Sequence, residues 1–313
     1  MLYNLSMENI YDVIIVGGGP AGLSAGIYAA RANLNTLIIE ASSEGGKLVK
    51  ISSIENYPGF KSISGFELAN NLVEQAKEFN VEFVNNEVIK IIDHTVILKD
   101  KTKLQAKAIV IATGSKERKL DLEKANEFIG KGISYCATCD GFFFKNKPVC
   151  VIAENTNALQ ESLYLANLVS KVTMITKRDN LLGDQVIIDS ILNNPRIELI
   201  TNVYPTRLII KDDKLVGLNI KDSDNVEREI ECFGIFPYIS FNPSTDFLDS
   251  TILNEKGFIV VDRNFETSIS GIYAIGDCIE KDLRQVVTAC ADGAIAASSI
   301  IKTIKKWGYP HLY

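Results

Sequence analysis

Two cysteines separated by two residues are the part of this sequence best suited to chemistry. Cys136 and Cys139 flank Ala137 and Thr138, and Asp140 follows directly. Cysteines at this spacing can close a small disulfide ring, and the first turn of a helix lowers a thiol pKa. Asp140 is placed to protonate a leaving thiolate. The pattern predicts a redox-active cysteine pair. Half of a zinc site or an inert pair of thiols are the alternatives.

The other four cysteines and the two histidines indicate neither a disulfide framework nor a metal centre. The cysteines stand far apart, which predicts small core residues. Neither His94 nor His311 lies beside the cysteine pair, so zinc has no obvious ligand set. His94 sits in an alternating segment and is expected at a turn or on the surface. We therefore predict no metal.

A second candidate site lies near the N-terminus, where a strand, a glycine-rich turn and a helix follow in order. Residues 11–16 form a short, mostly apolar run, Gly17-Gly18-Gly19-Pro20-Ala21-Gly22 comes next, and a second apolar run ends on Glu40. This G-x-G-x-x-G pattern, with an acid about 20 residues on, is typical of a dinucleotide site. Its glycines permit a tight turn and close approach of a pyrophosphate, while Glu40 can accept hydrogen bonds from a ribose.

The remaining apolar runs predict two domains of the same kind. A strand at 107–111 ends in Ala112-Thr113-Gly114, and a late strand runs into Gly276-Asp277. Taken alone, Gly276-Asp277 indicates a plain strand-to-helix turn, although a carboxylate there can bind the hydroxyls of a flavin nucleotide. A separate segment predicts a strand at 148–153, a helix at 157–170 and a strand at 172–176. The predicted fold class is therefore α/β, with two Rossmann-like, three-layer dinucleotide-binding domains, the second inserted in the first. The expected bounds are 1–116 with 244–313 for the first and 117–243 for the second.

Composition excludes several classes of protein. The 313 residues are 46% apolar and 23% charged, as in an ordinary folded chain. The net charge of −6 argues against a nucleic-acid partner. We expect no apolar run to approach the ~18 residues of a membrane helix, and residues 1–11 lack the features of a signal peptide. We expect a soluble, cytoplasmic protein without a membrane partner.

Taken together, these motifs resemble the low-molecular-weight thioredoxin reductases along almost the whole chain. The resemblance is most specific at Tyr135 to Phe143, which contains the cysteine pair. The other matching segments are 17–22, 28–31, 45–48, 54–60, 112–115, 271–277 and 284–285.

The resemblance implies an FAD enzyme that reduces thioredoxin as a homodimer. It implies that Cys139 faces the flavin and takes its electrons, that Cys136 attacks the partner's disulfide, and that Asp140 supplies the proton. Lys47 departs from the glutamine usual in the family. The expected cofactor-binding residues are Gly17, Gly19, Pro20, Ala21, Gly22, Glu40, Gly46, Lys47, Leu48, Asn56, Val88, Ala112, Thr113, Gly114, Gly276, Asp277, Arg284 and Gln285.

The second domain departs from the family where NADPH would bind. Residues 153–158 read Ala-Glu-Asn-Thr-Asn-Ala in place of a glycine-rich G-G-G-D-S-A turn. Without glycines the backbone cannot approach a pyrophosphate closely, and Glu154 adds a like charge. Of the family's basic motif for the 2′-phosphate only Lys177 and Arg178 survive, and Ser240 replaces an expected glycine.

These losses predict a donor other than NADPH. The chain most resembles the ferredoxin-dependent flavin thioredoxin reductases, which keep the cysteine motif and lack both nucleotide motifs. Two alternatives remain, an NADPH-dependent thioredoxin reductase with a divergent site and a non-catalytic redox-sensing flavoprotein. The aromatic tail at 307–313 is expected either to pack against the core or the other subunit, or to cover the flavin face.

Overall fold

The computed structural model describes residues 10–51 and 53–308, so the tail residues Tyr309, His311 and Tyr313 lie outside the described part. The chain forms two compact units. The first unit takes the described residues up to Lys116 and from Pro243 onward, and the second unit is Glu117–Asn242. Strands Ser115–Glu117 and Phe241–Pro243, which pair with each other, contain the two points where the chain passes from one unit to the other.

Strands and helices alternate at the start of each unit, and runs of consecutive strands follow them. In the first segment they are β1 (Tyr11–Val16), α1 (Pro20–Arg31), β2 (Thr36–Glu40), α2 (Gly65–Glu78), β3 (Glu82–Asn85), β4 (Val88–Ile92), β5 (Thr95–Leu98), β6 (Lys103–Ile111) and β7 (Ser115–Glu117). Next come α3 (Ala137–Asp140), β8 (Pro148–Ala153), α4 (Asn157–Ala166), β9 (Lys171–Ile175), α5 (Gln185–Leu192), β10 (Ile197–Ile200), β11 (Val203–Lys211), β12 (Lys214–Asp222), β13 (Glu227–Glu231), β14 (Gly234–Tyr238) and β15 (Phe241–Pro243). The chain closes with β16 (Ile272–Ala274) and α6 (Val286–Gly308).

The first unit is built on a sheet with the strand order β3-β2-β1-β6-β5-β4, and β16 pairs with β6. β1 runs parallel to β2 and β6, and β16 runs parallel to β6. Val16 lies opposite both Ile39 and Ile111, so these strands end at one edge of the sheet. The carboxyl edge of such a sheet is where ligands bind.

Both faces of this sheet are covered, which explains the continuous apolar sequence of residues 13–16 in β1. Val13 and Ile15 enter one buried cluster, whereas Ile14 and Val16 enter the cluster on the opposite face. Successive side chains of a strand point to opposite faces, so a strand buried on both sides carries apolar residues without alternation. The unit therefore has three layers.

Helix α6 lies against α1 at very short range. A Cβ on Gly293 would come within 2.3 Å of the Ala21 carbonyl oxygen, and the Ser24 hydroxyl donates to the Cys290 carbonyl at 2.7 Å. Contrary to the sequence expectation, one stretch, Val286–Lys305, is long and apolar enough to cross a membrane by length and composition alone. The stretch packs against α1 and carries a buried aspartate in its middle, and 33% of it is buried.

The second unit has a four-stranded parallel sheet in the order β10-β9-β8-β14 and an antiparallel meander β11-β12-β13. Along β8, Val149 and Val151 enter one buried cluster, while Cys150 and Ile152 enter the other. Both faces of this sheet are therefore covered as well. The predicted α/β fold class with two dinucleotide-binding domains, one inserted in the other, is confirmed.

Candidate active site

The cysteine pair lies at the start of the short helix α3 in the second unit. Cys136 is the N-cap residue and forms a disulfide with Cys139, with 5.3 Å between the two Cα atoms. The backbone N–H of Cys139 donates to Cys136 Sγ at 3.2 Å. An N–H aimed at sulfur stabilises a thiolate more than a thiol. Upon reduction, Cys136 is therefore the cysteine that the helix start favours as the thiolate.

Asp140 is held beside the pair by a serine that sequence reasoning missed. The buried Ser134 hydroxyl donates to Asp140 Oδ2 at 2.6 Å, and Cys136 N donates to Ser134 Oγ at 3.1 Å. Ser134 thus connects the backbone of the first cysteine to the carboxyl group of Asp140. The geometry places an acid–base group within the same hydrogen-bonded cluster as the disulfide, as the adjacent position in the sequence predicts.

A second polar group packs behind the same helix. The backbone N–H of Ala137 donates to the buried Tyr238 hydroxyl at 3.2 Å, and that hydroxyl lies 3.5 Å from Glu161 Oε2 on α4. Burial raises the pKa of Glu161 to about 7 and raises that of Tyr238 strongly. Sequence reasoning missed both residues, because only the fold brings β14 and α4 to the cysteine helix.

In the first unit, the loop after β1 has the close backbone approach that the fingerprint predicts. Gly17 has φ +112°, and a Cβ there would lie 2.3 Å from the Ala112 carbonyl oxygen, so only glycine fits. Glu40 Oε2 accepts from Gly18 N at 2.7 Å. This bond fixes the carboxylate against the loop and leaves acceptor capacity on the group for a ribose hydroxyl.

The loops after β1, β2, β6 and β16 converge at this edge. A Cβ on Gly46 would meet Gly19 Cα at 3.2 Å, and one on Gly276 would meet Ala21 Cβ at 3.0 Å. At Gly19 and Gly114 a Cβ would meet nothing within 4 Å. The open side of Gly19 faces no side chain, and α1 begins there without a side-chain cap. This arrangement fits the pyrophosphate of a dinucleotide cofactor.

The structure also brings together the distant residues of the cofactor prediction. Asn56 Nδ2 donates to Gln285 Oε1 at 3.0 Å. Arg284 donates to the carbonyls of Lys281 and Ile279 and lies 4.7 Å from the Phe258 ring centroid. The buried Arg284 Nε has no partner among the described residues. That unused donor is the kind of group that a bound cofactor satisfies.

Other predicted cofactor residues have different positions. The side chains of Val88 and Leu48 are enclosed in apolar clusters, which leaves their backbones for any contact with a ligand. Thr113 uses its hydroxyl to donate to the Ser244 carbonyl at 2.8 Å. Lys47 is exposed on the 3₁₀ turn Gly46–Lys50, and Asp277 lies partly buried in the turn that follows β16.

A buried ion pair next to the turn at Gly276 was not predicted. Asp292 Oδ2 accepts from Gly276 N at 3.0 Å and lies 2.5 Å from Lys281 Nζ. The side chains are only 11% and 13% exposed, respectively. An aspartate within the otherwise apolar run 286–301 was the available signal, since a charge is buried only when it is paired.

In the second unit, the loop that would bind a nucleotide is closed by its own side chains. Asn157 N donates to Asn155 Oδ1, and the N–H groups of Ala158 and Leu159 donate to carbonyls of the same loop. Glu154, 8% exposed, accepts from Lys177 N at 2.7 Å. Its other oxygen lies 3.7 Å from Lys177 Nζ and 3.7 Å from Arg178 Nε.

The two surviving cations of the basic motif thus face a carboxylate of the chain itself. Lys177 and Arg178 remain exposed, as expected for a solvated charge run, and Glu154 provides a counter-charge. A phosphate approaching them would meet repulsion from Glu154. Among the described residues, no group of three or more histidine, cysteine or acidic side chains could hold a metal.

The chain is similar to known proteins along nearly its whole length. A sequence profile described as pyridine nucleotide-disulphide oxidoreductase matches residues 11–293. The thioredoxin reductase of Treponema pallidum is 42% identical over 307 residues, covering 96% of this chain and 100% of that protein.

Two solved structures are also similar. Thioredoxin reductase from Lactococcus lactis, in a state titled the FR conformation, has a TM-score of 0.91 and 36% identity, covering 95% of this chain and 99% of that one. A ferredoxin-flavin thioredoxin reductase from Clostridium acetobutylicum has a TM-score of 0.51 and 28% identity, covering 95% and 98%.

Proposed function

The chain belongs to the pyridine nucleotide-disulphide oxidoreductase family and, within it, to the thioredoxin reductases, and we propose that its electrons come from reduced ferredoxin. In this proposal they pass through FAD and the Cys136–Cys139 disulfide to thioredoxin. The observation that carries the choice of donor is the closed loop at 153–158.

FAD is the cofactor of this family, and when bound it supplies the electrons that open the disulfide. We assign its binding to the convergent loops of the first unit. Gly17, Gly19 and Glu40 receive the adenosine and pyrophosphate, and the Arg284 Nε donor is left for the cofactor. Asp277, in the turn after β16, is assigned to hydroxyl groups of the cofactor.

The cysteines and Asp140 then carry out thiol–disulfide exchange. In the reduced enzyme the Cys136 thiolate attacks one sulfur of the partner's disulfide, forming a mixed disulfide and releasing the other sulfur as a thiolate. Asp140 gives that leaving thiolate a proton. Cys139, which we assign as the cysteine that receives electrons, then gives its proton to the Asp140 carboxylate and attacks Cys136 Sγ, and Asp140 passes that proton to the second partner sulfur as it leaves. This step restores the Cys136–Cys139 bond and releases the partner as a dithiol.

Thioredoxin is the proposed acceptor because the similar proteins carry that name and because the surface beside the disulfide suits a protein. Phe142 and Phe143 directly follow the cysteine helix and are 66% and 73% exposed. Exposed aromatic side chains are enriched where proteins bind each other. A small-molecule disulfide would not require two phenyl rings in solvent.

The proposal of a donor other than NADPH rests on the loop at 153–158 in the second unit, which is closed by its own hydrogen bonds and by Glu154. The first-turn N–H groups that would bind a pyrophosphate are bonded within the loop, and Glu154 faces the remaining cations. A one-electron protein donor needs neither feature, because a flavin accepts electrons singly or in pairs. A structure named as a ferredoxin-flavin enzyme is among the similar ones, at a lower TM-score and identity than the Lactococcus lactis enzyme, so the choice of donor rests on the loop itself.

Two alternatives have their own support. Lys177 and Arg178 favour an NADPH-dependent enzyme with a divergent site, since both remain exposed for a phosphate. A non-catalytic redox sensor is the second, but it would need neither Asp140 nor its bond from Ser134.

We further propose a homodimer, supported by exposed Tyr28, Val287 and Ile295 on the helices α1 and α6, and a cytoplasmic location.

An anaerobic titration of the FAD-loaded enzyme tests the donor. Flavin absorbance is followed as NADPH, NADH or reduced ferredoxin is added, and oxidised thioredoxin is then supplied. We expect the flavin to be bleached by reduced ferredoxin and not by NADPH or NADH, and then to be reoxidised by thioredoxin. Steady thioredoxin reduction with micromolar NADPH would overturn the ferredoxin proposal. Bleaching by ferredoxin without reoxidation by thioredoxin would favour the redox sensor.

A further inference from the structure

Glu161 is an ionisable group that thiol–disulfide exchange, as described above, does not use, and it contacts the cysteine helix from behind. It lies partly buried on α4, with Oε2 at 3.5 Å from the Tyr238 hydroxyl. That hydroxyl accepts the Ala137 N–H at 3.2 Å, so its own hydrogen is available to the carboxylate. A hydrogen-bonded chain therefore runs from the residue after Cys136 to Glu161.

The charged neighbours of this chain come from a few elements. Glu117 of β7 acts on Tyr238, and Asp140 of α3 is bonded instead to Ser134. The two cysteines are the other titratable groups on the cysteine helix. Burial penalises the charged form of Glu161 most, while the hydrogen bonds from Tyr238 and the Ala137 backbone favour it.

We propose that Glu161 is a positioning residue that, acting through Tyr238, links its own protonation to the charge on Cys136. An ionised Glu161 opposes a negative charge at Cys136, and a protonated Glu161 removes that opposition. Opening the disulfide takes up two electrons. If one proton goes to Cys139 and one to Glu161, the products are a Cys139 thiol, a neutral Glu161 and a Cys136 thiolate.

This coupling predicts a pH-dependent effect that a structural role would not produce. Glu161 titrates near pH 7, so it is neutral at pH 6 and ionised at pH 8. Replacing Glu161 by glutamine should leave the Cys136 thiolate fraction unchanged at pH 6. At pH 8 it should raise the ratio of thiolate to thiol at Cys136 by about tenfold or more, the size expected for a single charge roughly 7–10 Å away in a medium of dielectric constant near 20.

The test uses the FAD-loaded enzyme carrying Cys139→Ser, so that Cys136 is a free thiol. Its alkylation by iodoacetamide is followed by mass spectrometry of the Cys136 peptide between pH 5.5 and 9. Neither ferredoxin nor thioredoxin is present, so the result does not depend on the proposed donor. The background enzyme should give a two-step profile, and adding Glu161→Gln should give a single step with faster alkylation at pH 8 only.

Two further variants complete the design. Tyr238→Phe removes the hydroxyl that joins the Ala137 N–H to Glu161 and should therefore weaken the two-step profile, so that Glu161→Gln has less effect at pH 8 in that background. Glu198→Gln alters an exposed carboxylate that pairs with Lys171 at 2.6 Å in the same unit and should change nothing. The proposal is overturned if Glu161→Gln changes alkylation equally at pH 6 and pH 8, or at neither. A flavin spectrum and a melting curve for each variant verify that it is folded.

Discussion

Replacing Asp292 by alanine should destabilise the first unit and weaken its hold on FAD. The carboxylate accepts from Gly276 N at 3.0 Å and lies 2.5 Å from Lys281 Nζ, in a site where both side chains are almost fully enclosed. Truncation leaves a buried ammonium without its partner and a buried N–H without an acceptor. Removing one member of a buried ion pair typically costs about 3–5 kcal/mol, of which an orphaned N–H can account for ~1–3 kcal/mol.

The predicted loss follows from pairing, so a double replacement should recover part of it. Lys281→Met with Asp292→Leu removes both charges and should be more stable than Asp292→Ala by about 1–4 kcal/mol, because no charge remains buried alone. Asp282→Ala is the matched control, since Asp282 is an exposed aspartate close by in the sequence. It should change the free energy of unfolding by less than about 0.5 kcal/mol.

Urea unfolding followed by the release of flavin fluorescence measures the effect, with FAD content after gel filtration as a second readout. The variant Asp292→Ala should unfold at lower urea and lose FAD on the column. The reasoning is refuted if Asp292→Ala behaves like Asp282→Ala. It is also refuted if the effects of the Lys281 and Asp292 replacements simply add, because additivity means that the two side chains do not interact.

Three further predictions concern the two sites. Gly17→Ala should abolish FAD binding because its Cβ would collide with the Ala112 carbonyl, whereas Gly59→Ala, with a similar φ of +109° but open space, should retain FAD; flavin content checks both. Asp140→Asn should slow thioredoxin reduction about 10²-fold without altering the flavin spectrum, as measured by turnover, and an unchanged rate would exclude Asp140 as the acid. Burial raises the pKa of Glu161 from 4.5 to about 7, so between these pH values the folded protein holds a proton that the unfolded chain has lost. The stability of the wild-type protein should therefore fall relative to that of Glu161→Gln as the pH rises across this window. Melting temperatures of the two proteins that change in parallel from pH 5 to pH 8 would contradict this.

The sequence predicted the parts of the fold that depend on local pattern. The strands Tyr11–Val16 and Pro148–Ala153 are observed with the predicted ends, because continuous apolar runs bounded by glycine or proline identify buried parallel strands. The helix expected over 157–170 ends at Ala166, where backbone bonds of the last turn close it. Helix Gly65–Glu78 was not predicted, although Ser64 caps it through Glu67 N.

The candidate sites were predictable where a motif is contiguous and not where the fold assembles it. The residue types at 136–140 indicate redox chemistry by themselves, and the structure places them in one hydrogen-bonded cluster. The contributions of Ser134, Glu161 and Asp292 arise from contacts between separate elements. A single aspartate or glutamate in a helix has no sequence signature that specifies its partner, so such residues become visible only with coordinates.

The packing of α6 on α1 has a consequence for how the protein is made. The first unit is interrupted, and β16 and α6 are synthesised only after the whole second unit. The second unit is contiguous and has its whole sheet once residue 242 has emerged. Since domains fold as units during synthesis, we expect the cysteine-bearing unit to fold on the nascent chain. The apolar face of α1 that packs against α6 stays uncovered until α6 has been made. We then expect flavin uptake to follow the synthesis of α6.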